Sequence, residues 1–318
     1  MIFGPDGVAN KDQDYEIGFI SERRPSQTYL AAIEKMSRGV LSELLDLPLY
    51  SLSPDQVKIV YLRQSVKGKS VANNAMRILR SVWNWAQLMH TDSELFVRNP
   101  VSLAMRQLGV NINKTNRRNS RLFDEDFGNY LKAVLKLNQY DHTSAFRNGR
   151  DSLLFMLFSG VRLTGTITIK INNIDMERKV FTIIKKGGDE ACLPLNTVTE
   201  ALVRNRLKNL PENIEYLFSR INGLGHYSGT RASRRNISEL CGISMTNHDL
   251  RRTYKTIGAE LNMNSTIIDE LLCHSREGVD AHYIHPSMES LRTGSQQIAD
   301  YILAKSRVDV VSELSLSW

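Results

Sequence analysis

The chain has 318 residues, of which 42% are hydrophobic and 24% charged, enough length and apolar content for two globular domains. It has no apolar run long enough to cross a membrane and no signal-peptide pattern at its N-terminus, so we predict a cytoplasmic protein without a membrane partner. Its three cysteines have neither disulfide nor metal-site spacing, and the net charge of +7 permits nucleic-acid binding without establishing it.

The first third of the chain has a helical pattern. After a polar segment over residues 1–24, apolar residues recur at the spacing of one helix face. The pattern predicts four helices, over residues 26–47, 54–64, 71–90 and 101–108. Residues 25–110 are therefore expected to form an all-helical domain.

A short basic segment follows this domain. Residues 111–122 carry four basic side chains and no acidic one, namely Lys114, Arg117, Arg118 and Arg121. Because the regions before and after are nearly neutral, this segment favours a linker that lies across a polyanion. A merely solvated linker is the alternative.

The region after the linker predicts a second domain of mixed type. Helices are expected over residues 124–137 and 150–160, followed by three short strands over residues 167–171, 180–184 and 191–195. The remainder is helical in pattern. The chain is thus expected to be mainly α with one small antiparallel sheet, an α+β second domain over residues 123–286, and a tail over residues 287–318.

The segment from Thr246 to Thr253 carries the most informative pattern. Thr246 and Asp249 have the spacing of a capping box, which predicts a helix start there. His248 and Arg251 are then three residues apart on one helix face. An imidazole and a guanidinium at the positive end of a helix suit a phosphate, although the pair alone is common on protein surfaces.

Other candidate residues lie on both sides of that helix. His274 follows His248 by 26 residues, and Tyr283 follows His274 by nine. Arg162 closes an apolar helix, and because an unpaired charge near a core is unfavourable, we expect it to be paired or functional. Lys185 and Lys186 lie in a basic turn between the last two predicted strands.

The residues Arg162, Lys186, His248-x-x-Arg251, His274 and Tyr283 resemble, in this order, the signature of the tyrosine recombinases, the phage integrase family. Their context is similar too: Ser159-Gly160-Val161-Arg162, the run His248 to Thr253, and Asn99-Pro100-Val101 at the end of the helical domain. The resemblance implies that residues 25–110 are a core-binding, SAM-like DNA-binding domain and that residues 123–286 are the catalytic domain. It also implies that the basic linker crosses the DNA backbone and contacts its phosphates, through Lys114, Arg117, Arg118 and Arg121.

Three positions depart from the family pattern. Gly165 stands where an acidic residue is usual, three positions after Arg162. Cys273 replaces the usual glycine before His274, a small-for-small exchange expected to matter little. Lys185 competes with Lys186 for the catalytic lysine, and the distance to Pro194 favours Lys186.

The resemblance also implies the chemistry. Tyr283 would attack a DNA phosphodiester to give a 3′-phosphotyrosine, while Arg162 and Arg251 bind the scissile phosphate. His248 and His274 would donate hydrogen bonds or move protons, with His248 as the candidate base, and Lys186 would protonate the leaving 5′-oxygen. No metal ion or other cofactor is expected.

The expected function is that of a site-specific recombinase that integrates or excises a mobile element or prophage. Its expected partners are a double-stranded recombination site, three further copies in a tetramer on DNA, and accessory DNA-bending or directionality proteins. The resemblance implies that the tail over residues 287–318 is exchanged between the protomers of this tetramer. In a bacterium it would associate with the nucleoid. A type IB topoisomerase-like enzyme and a non-catalytic DNA-binding relative are the alternatives.

Overall fold

A computed structural model describes residues 27–91, 94–96, 98–107, 120–140, 144–185, 188–220, 223–274 and 286–316. The chain divides into two compact units, Met1–Arg117 and Arg118–Trp318, and the division falls within the predicted basic linker. None of the described helices is long and apolar enough to cross a membrane.

The N-terminal unit is helical, as predicted. Its helices are α1 (Gln27–Gly39), α2 (Pro54–Lys67), α3 (Lys69–Met89) and α4 (Pro100–Gln107). A capping box between Ser53 and Gln56 begins α2, and the edge of the Trp83 ring packs on Phe96 in the core. The first helix is shorter than predicted because it ends at Gly39, after which Leu41 turns into the core and two 3-10 turns follow.

The C-terminal unit is built around one buried helix. Its first helices are α5 (Phe127–Tyr140), α6 (Ser144–Ser159), α7 (Leu163–Ile167) and α8 (Thr197–Asn209). They are followed by α9 (Arg231–Cys241), α10 (Asn247–Glu260), α11 (Ser265–Leu271), α12 (Met288–Ser306) and α13 (Val310–Leu316). Helices α5, α8, α9 and α10 surround α6, whose residues 153–158 are all buried. A helix covered on every side is apolar on every side, which explains that run.

A three-stranded antiparallel sheet completes the C-terminal unit. It is formed by β1 (Ile174–Asp175), β2 (Val180–Ile184) and β3 (Glu190–Pro194), in that order. The mainly helical fold with one small sheet is therefore confirmed. The predicted strand over residues 167–171 is wrong, because Ile167 ends α7 and Lys170 makes an isolated bridge to Tyr216. Buried Ile167 and Ile169 gave this irregular segment the apolar alternation of a strand.

The two C-terminal helices pack on their own unit. Ile298 and Ile302 of α12 are fully buried, and the Asn196 side chain donates to Ser295 Oγ at 3.0 Å. Val310 and Leu314 anchor α13 in the same core. The segment assigned from sequence to an exchanged tail, residues 287–318, thus includes a helix that the C-terminal unit needs for its core.

A buried ionic network ties α6 to α8. Asp151 accepts hydrogen bonds from Arg150 Nε at 2.7 Å and from Arg206 Nη1 at 2.6 Å. Arg206 also donates to the Asn148 side chain and to the Leu217 carbonyl. All three charged side chains are buried, so their mutual bonds are what offsets the cost of removing them from water.

Candidate functional site

The site begins at the N-terminus of α10, where the predicted capping box is confirmed. Thr246 Oγ1 accepts from Asp249 N at 3.2 Å, and Asp249 Oδ2 accepts from Thr246 N at 2.9 Å. This cap fixes the start of the helix and leaves His248 exposed in its first turn, while Arg251, one turn later, is buried. The two predicted residues are therefore on one helix but in different environments.

Arg251 joins three elements of the C-terminal unit. Its Nη1 donates to the Gly160 carbonyl at 2.7 Å, just after α6, and its Nη2 donates to the Leu272 carbonyl, just after α11. Burial and the nearby charge of Arg162 lower the pKa of Arg251 to about 10. The guanidinium thus holds the turn that precedes Arg162 and the turn that precedes His274.

Arg162 lies at the edge of this arrangement. Its Nη1 donates to the Cys273 carbonyl at 3.4 Å. The side chain is exposed, so the premise that it lies near a core is wrong, and the expectation that it is paired or functional stays a prediction. The apolar helix α6 ends at Ser159, three residues before Arg162, and the chain turns at Gly160.

Gly160 is required at that turn. Its φ of +70° lies in the left-handed region, and an added Cβ would stand 2.6 Å from a ring carbon of Tyr254 and 2.8 Å from Leu272 Cδ2. Both the backbone conformation and the close packing therefore exclude a side chain.

His274 is held by a carboxylate. Its Nδ1 lies 3.1 Å from Asp269 Oδ1, and Lys255 Nζ donates to the same oxygen at 3.3 Å. Burial lowers the pKa of His274, the charges of Arg251 and Lys255 lower it further, and together they outweigh Asp269, which acts to raise it. The imidazole is therefore shifted toward its neutral form in the free protein.

The exchange of glycine for Cys273 is not the minor change that its small size predicts. Cys273 has a φ of +49°, a left-handed conformation that glycine adopts without strain and that costs other residues about 1–2 kcal/mol. The turn it forms directs the carbonyls of residues 272 and 273 at Arg251 and Arg162. The glycine that is usual in the family would adopt this left-handed backbone conformation without strain, a requirement that the sequence did not show.

Gly165 leaves the site without a carboxylate from α7. A Cβ at this buried position would meet Val161 Cγ1 at 3.0 Å and Ile183 Cδ1 at 3.3 Å. The space in which the family's acidic side chain would begin is therefore filled by apolar packing against β2.

Only some of the remaining predicted site residues lie among the residues that the structure describes. Tyr283 and Lys186, like Lys114, Arg117 and Arg118 of the linker, lie outside the described residues, so their roles stay predictions. Lys185 is half-buried, with its backbone N–H bonded to the Asp189 carbonyl at 2.7 Å. Burial raises the pKa of the Cys273 thiol, and Lys185, Arg251 and Arg162 act to lower it, which puts the Lys185 ammonium within electrostatic reach of the site.

The end of the linker is anchored by α10, a contact that the sequence did not reveal. Asp249 Oδ1 accepts from Ser120 Oγ at 2.8 Å, and Arg252 Nη1 donates to the Ser120 carbonyl at 2.7 Å. Thr253 Oγ1 accepts the Leu122 N–H at 2.9 Å. Burial acts to raise the pKa of Asp249, but hydrogen bonds from Thr246 and Ser120 and the charge of Arg252 lower it overall.

Arg121, predicted to bind DNA, is engaged within the unit. Its Nη1 forms an ion pair with Glu260 Oε1 at 2.7 Å, and its guanidinium lies 5.0 Å from the centre of the Phe123 ring. A phosphate would have to compete with Glu260 for this side chain.

A basic groove beside α10 was also missed. It has a volume of about 610 Å³ and is lined mainly by α9 and the segment after it, through Arg231, Ala232, Arg234, Arg235, Ser238, Ser244 and Met245. Arg234 Nη1 donates to the Met245 carbonyl at 3.2 Å, which ties the groove to the chain that enters α10. The run Arg231-Ala-Ser-Arg234-Arg235 was the available sequence signal.

The arrangement of these side chains suits the binding of a phosphate group. Two guanidinium groups and an imidazole converge on the turn at residues 272–274, and fixed cations of this kind stabilise charge on a phosphate. Over the described residues, no group of three or more His, Cys, Asp or Glu side chains could hold a metal ion.

Comparison with protein families gives two consecutive matches. The phage integrase family model matches residues 129–290, and the phage integrase core-binding domain model matches residues 20–105. Among curated proteins, prophage integrase IntF of Escherichia coli is 23% identical over 293 residues, which cover 88% of this chain and 59% of that protein. Tyrosine recombinase XerA of Pyrococcus horikoshii is 28% identical over 153 residues, 46% of this chain and 53% of that protein. The chain thus spans little more than half the length of these relatives.

Solved structures share the fold. The Tn1549 transposon integrase in complex with circular intermediate DNA has a TM-score of 0.62 at 16% identity, covering 86% of this chain and 94% of that one. A lambda integrase tetramer bound to a Holliday junction has a TM-score of 0.61 at 13% identity, covering 84% and 74%.

Replacing Gly160 with alanine tests the turn before Arg162. We expect a loss of about 1–2 kcal/mol in the free energy of unfolding from the left-handed backbone and about 1–3 kcal/mol more from overpacking. Gly242→Ala is the matched control, because Gly242 has a φ of +75° and nothing within 4 Å of its Cβ position. Urea unfolding followed by circular dichroism measures both, and equal losses would refute the packing argument.

Proposed function

The chain belongs to the phage integrase family, and from this premise we propose that it is a site-specific DNA recombinase that integrates or excises a mobile element or prophage. The observation that carries the proposal is the Arg251 guanidinium, which holds the turns before Arg162 and His274 together. It supports a single cationic site for a phosphodiester. Integrases among the relatives make a topoisomerase-like or non-catalytic role the less favoured alternative.

The proposed reaction conserves the phosphodiester bond energy. The Tyr283 phenol oxygen forms a bond to phosphorus, the bond from phosphorus to the 5′-oxygen breaks, and the strand is held as a 3′-phosphotyrosine. The phenol proton passes to His248, and a lysine donates a proton to the leaving 5′-oxygen. Rejoining reverses these steps with a 5′-hydroxyl as nucleophile, so neither ATP nor a cofactor enters the proposed scheme.

The two arginines have different proposed roles. Arg162 is exposed, so its guanidinium can turn toward a scissile phosphate. Among the described residues, Arg251 uses two of its five N–H groups on backbone carbonyls, and the proposal gives the others to a non-bridging oxygen. We therefore assign phosphate binding to both residues and the building of the site to Arg251.

Tyr283→Phe tests the covalent step. The chain is incubated with sheared DNA of the organism that carries its gene, and protein-linked fragments are captured under denaturing conditions and sequenced. The variant should bind the captured DNA as the unchanged chain does but form no adduct, because it lacks the nucleophilic oxygen. Tyr301→Phe is the control and should keep the adduct; an adduct in Tyr283→Phe would refute the assignment.

The lysine is tested with a modified leaving group. Lys186→Ala should slow cleavage by about 10²- to 10⁴-fold if Lys186 is the general acid. A substrate with sulfur in place of the scissile 5′-oxygen should restore the rate, since a thiolate leaves without protonation. Lys185→Ala is the matched control, and rescue of that variant instead would transfer the role to Lys185.

The DNA contacts are proposed to come from three surfaces. These are the helical domain over residues 25–110, the linker residues Lys114, Arg117, Arg118 and Arg121, and the α9 groove with Arg231 and Arg235. When cationic side chains bind phosphates, DNA affinity falls as the salt concentration rises. Replacing any one of these basic residues with alanine should therefore reduce the salt dependence of binding. Binding of this kind would also keep the protein on the nucleoid, which fluorescence microscopy tests. DNA-bending or directionality proteins are proposed to join it there, and a pull-down on the captured DNA site tests for them.

Exchange of a C-terminal segment is proposed to link four copies on DNA. The proposed exchanged part is α13 with the residues after it. Val310 and Leu314, which α13 buries in the core of its own unit, would occupy the same surface of a neighbouring copy, while α12 stays in its own unit. Arg307, in a left-handed conformation, ends α12 and could redirect α13 to the same surface of a neighbour.

Deleting residues 308–318 tests this exchange. The deletion also removes the buried Val310 and Leu314, so circular dichroism first checks that the unit stays folded around α12. Sedimentation with the captured DNA should then show loss of the tetramer. Glu313→Gln, an exposed change on α13, should retain it. An unchanged assembly after the deletion would contradict the proposal.

A further inference from the structure

The carboxylate of Asp269 is placed to control which nitrogen His274 offers to a substrate. Asp269 Oδ1 lies 3.1 Å from Nδ1 of His274, and a carboxylate can only accept, so Nδ1 carries the hydrogen. The other ring nitrogen, Nε2, is then the one left for chemistry. This is the arrangement by which a carboxylate fixes the tautomer and orientation of a histidine.

The pair is held rigidly from several sides. The His274 N–H donates to the Asp269 carbonyl at 2.9 Å, so the two residues are joined through both backbone and side chain. Lys255 of α10 binds Asp269 Oδ1 at 3.3 Å. The intervening turn is fixed where the Leu272 and Cys273 carbonyls accept from Arg251 and Arg162.

We propose that Asp269 is a positioning residue for His274, holding Nδ1 so that Nε2 faces the scissile phosphate and donates to a non-bridging oxygen once the ring is protonated. The proposal rests on the recombinase function proposed above. Negative charge that develops on the phosphate favours the imidazolium, and Asp269 stabilises the same charged form from the other side of the ring.

The surrounding charges predict a pH dependence of known sign. The groups that face the ring are Arg251 and Lys255 of α10 and Asp269 of α11, with Arg162 and Lys185 acting on the neighbouring Cys273. Asp269 raises the pKa of His274, whereas Arg251 and Lys255 lower it. Removing Asp269 should therefore lower this pKa further, and removing Lys255 should raise it.

Nuclear magnetic resonance of the full chain labelled with ¹⁵N-histidine tests the placement without DNA. In the unchanged protein the neutral His274 ring should carry its hydrogen on Nδ1. Asp269→Asn should lower the His274 pKa and weaken that tautomer preference, and Lys255→Met should shift the pKa upward. Asp300→Asn removes an exposed carboxylate on α12 and should change neither quantity.

Cleavage of the captured DNA tests the role. Asp269→Asn should slow adduct formation by about 10- to 100-fold at neutral pH with unchanged DNA affinity, and the deficit should shrink as the pH falls and His274 protonates. Lys255→Met should extend cleavage to higher pH, and it also serves if Asp269→Asn fails to fold. A normal rate profile and an unchanged tautomer in Asp269→Asn would overturn the proposal. An unchanged chain that forms no adduct would instead refute the recombinase function and leave the resonance result to decide the placement.

Discussion

The C-terminal unit depends on one buried cation and the two helix ends that satisfy it. A buried guanidinium is strongly unfavourable unless hydrogen-bonded, and Arg251 finds its acceptors in the carbonyls of Gly160 and Leu272. These carbonyls follow α6 and α11, where helices leave carbonyls without partners and carry partial negative charge. One side chain therefore caps two helices, and the turns it fixes carry Arg162 and His274. A lysine has no planar fork to span two such carbonyls.

Helix α10 serves two surfaces with adjacent residues. His248 and Arg251 belong to the candidate site, whereas Asp249, Arg252 and Thr253 bind residues 120–122 at the end of the linker. Asp249 completes the capping box and also accepts from Ser120, so the start of the helix and the path of the chain entering the unit are set by the same carboxylate. A substitution at the end of the linker would thus alter the hydrogen bonds at the start of α10, one residue from His248.

Local features of the chain were predictable and distant contacts were not. The capping boxes at Ser53 and Thr246 and the two hairpin strands depend on residues near in sequence, and the structure has them. The exposure of Arg162, the left-handed φ of Cys273 and the network around Asp151 depend on segments far apart in the chain. Arg206 looks like an ordinary surface residue of an amphipathic helix until its partners on α6 are known. The wrongly predicted strand over residues 167–171 has the same origin. Ile167 and Ile169 are buried by tertiary packing, and two buried residues at this spacing imitate the alternation of a strand.

The cationic side chains of the site interact unfavourably with one another, and the same arrangement favours an anionic ligand. The charge of Arg162 helps to lower the pKa of Arg251, and Arg251 and Lys255 help to lower that of His274, so these groups repel one another. The carboxylate of Asp269, which contacts both His274 and Lys255, offsets only part of this repulsion. A phosphate placed among them would reverse each of these effects, raising the pKa of His274 at the moment when its proton is useful. Because exposed charges are screened within about 10 Å at 0.1 M salt, the coupling should be strongest for the buried Arg251 and weakest for Lys255 at the surface. A phosphate bound at this site would therefore be linked to protonation of His274, because the cations that lower its pKa in the free protein are the ones that the phosphate would neutralise.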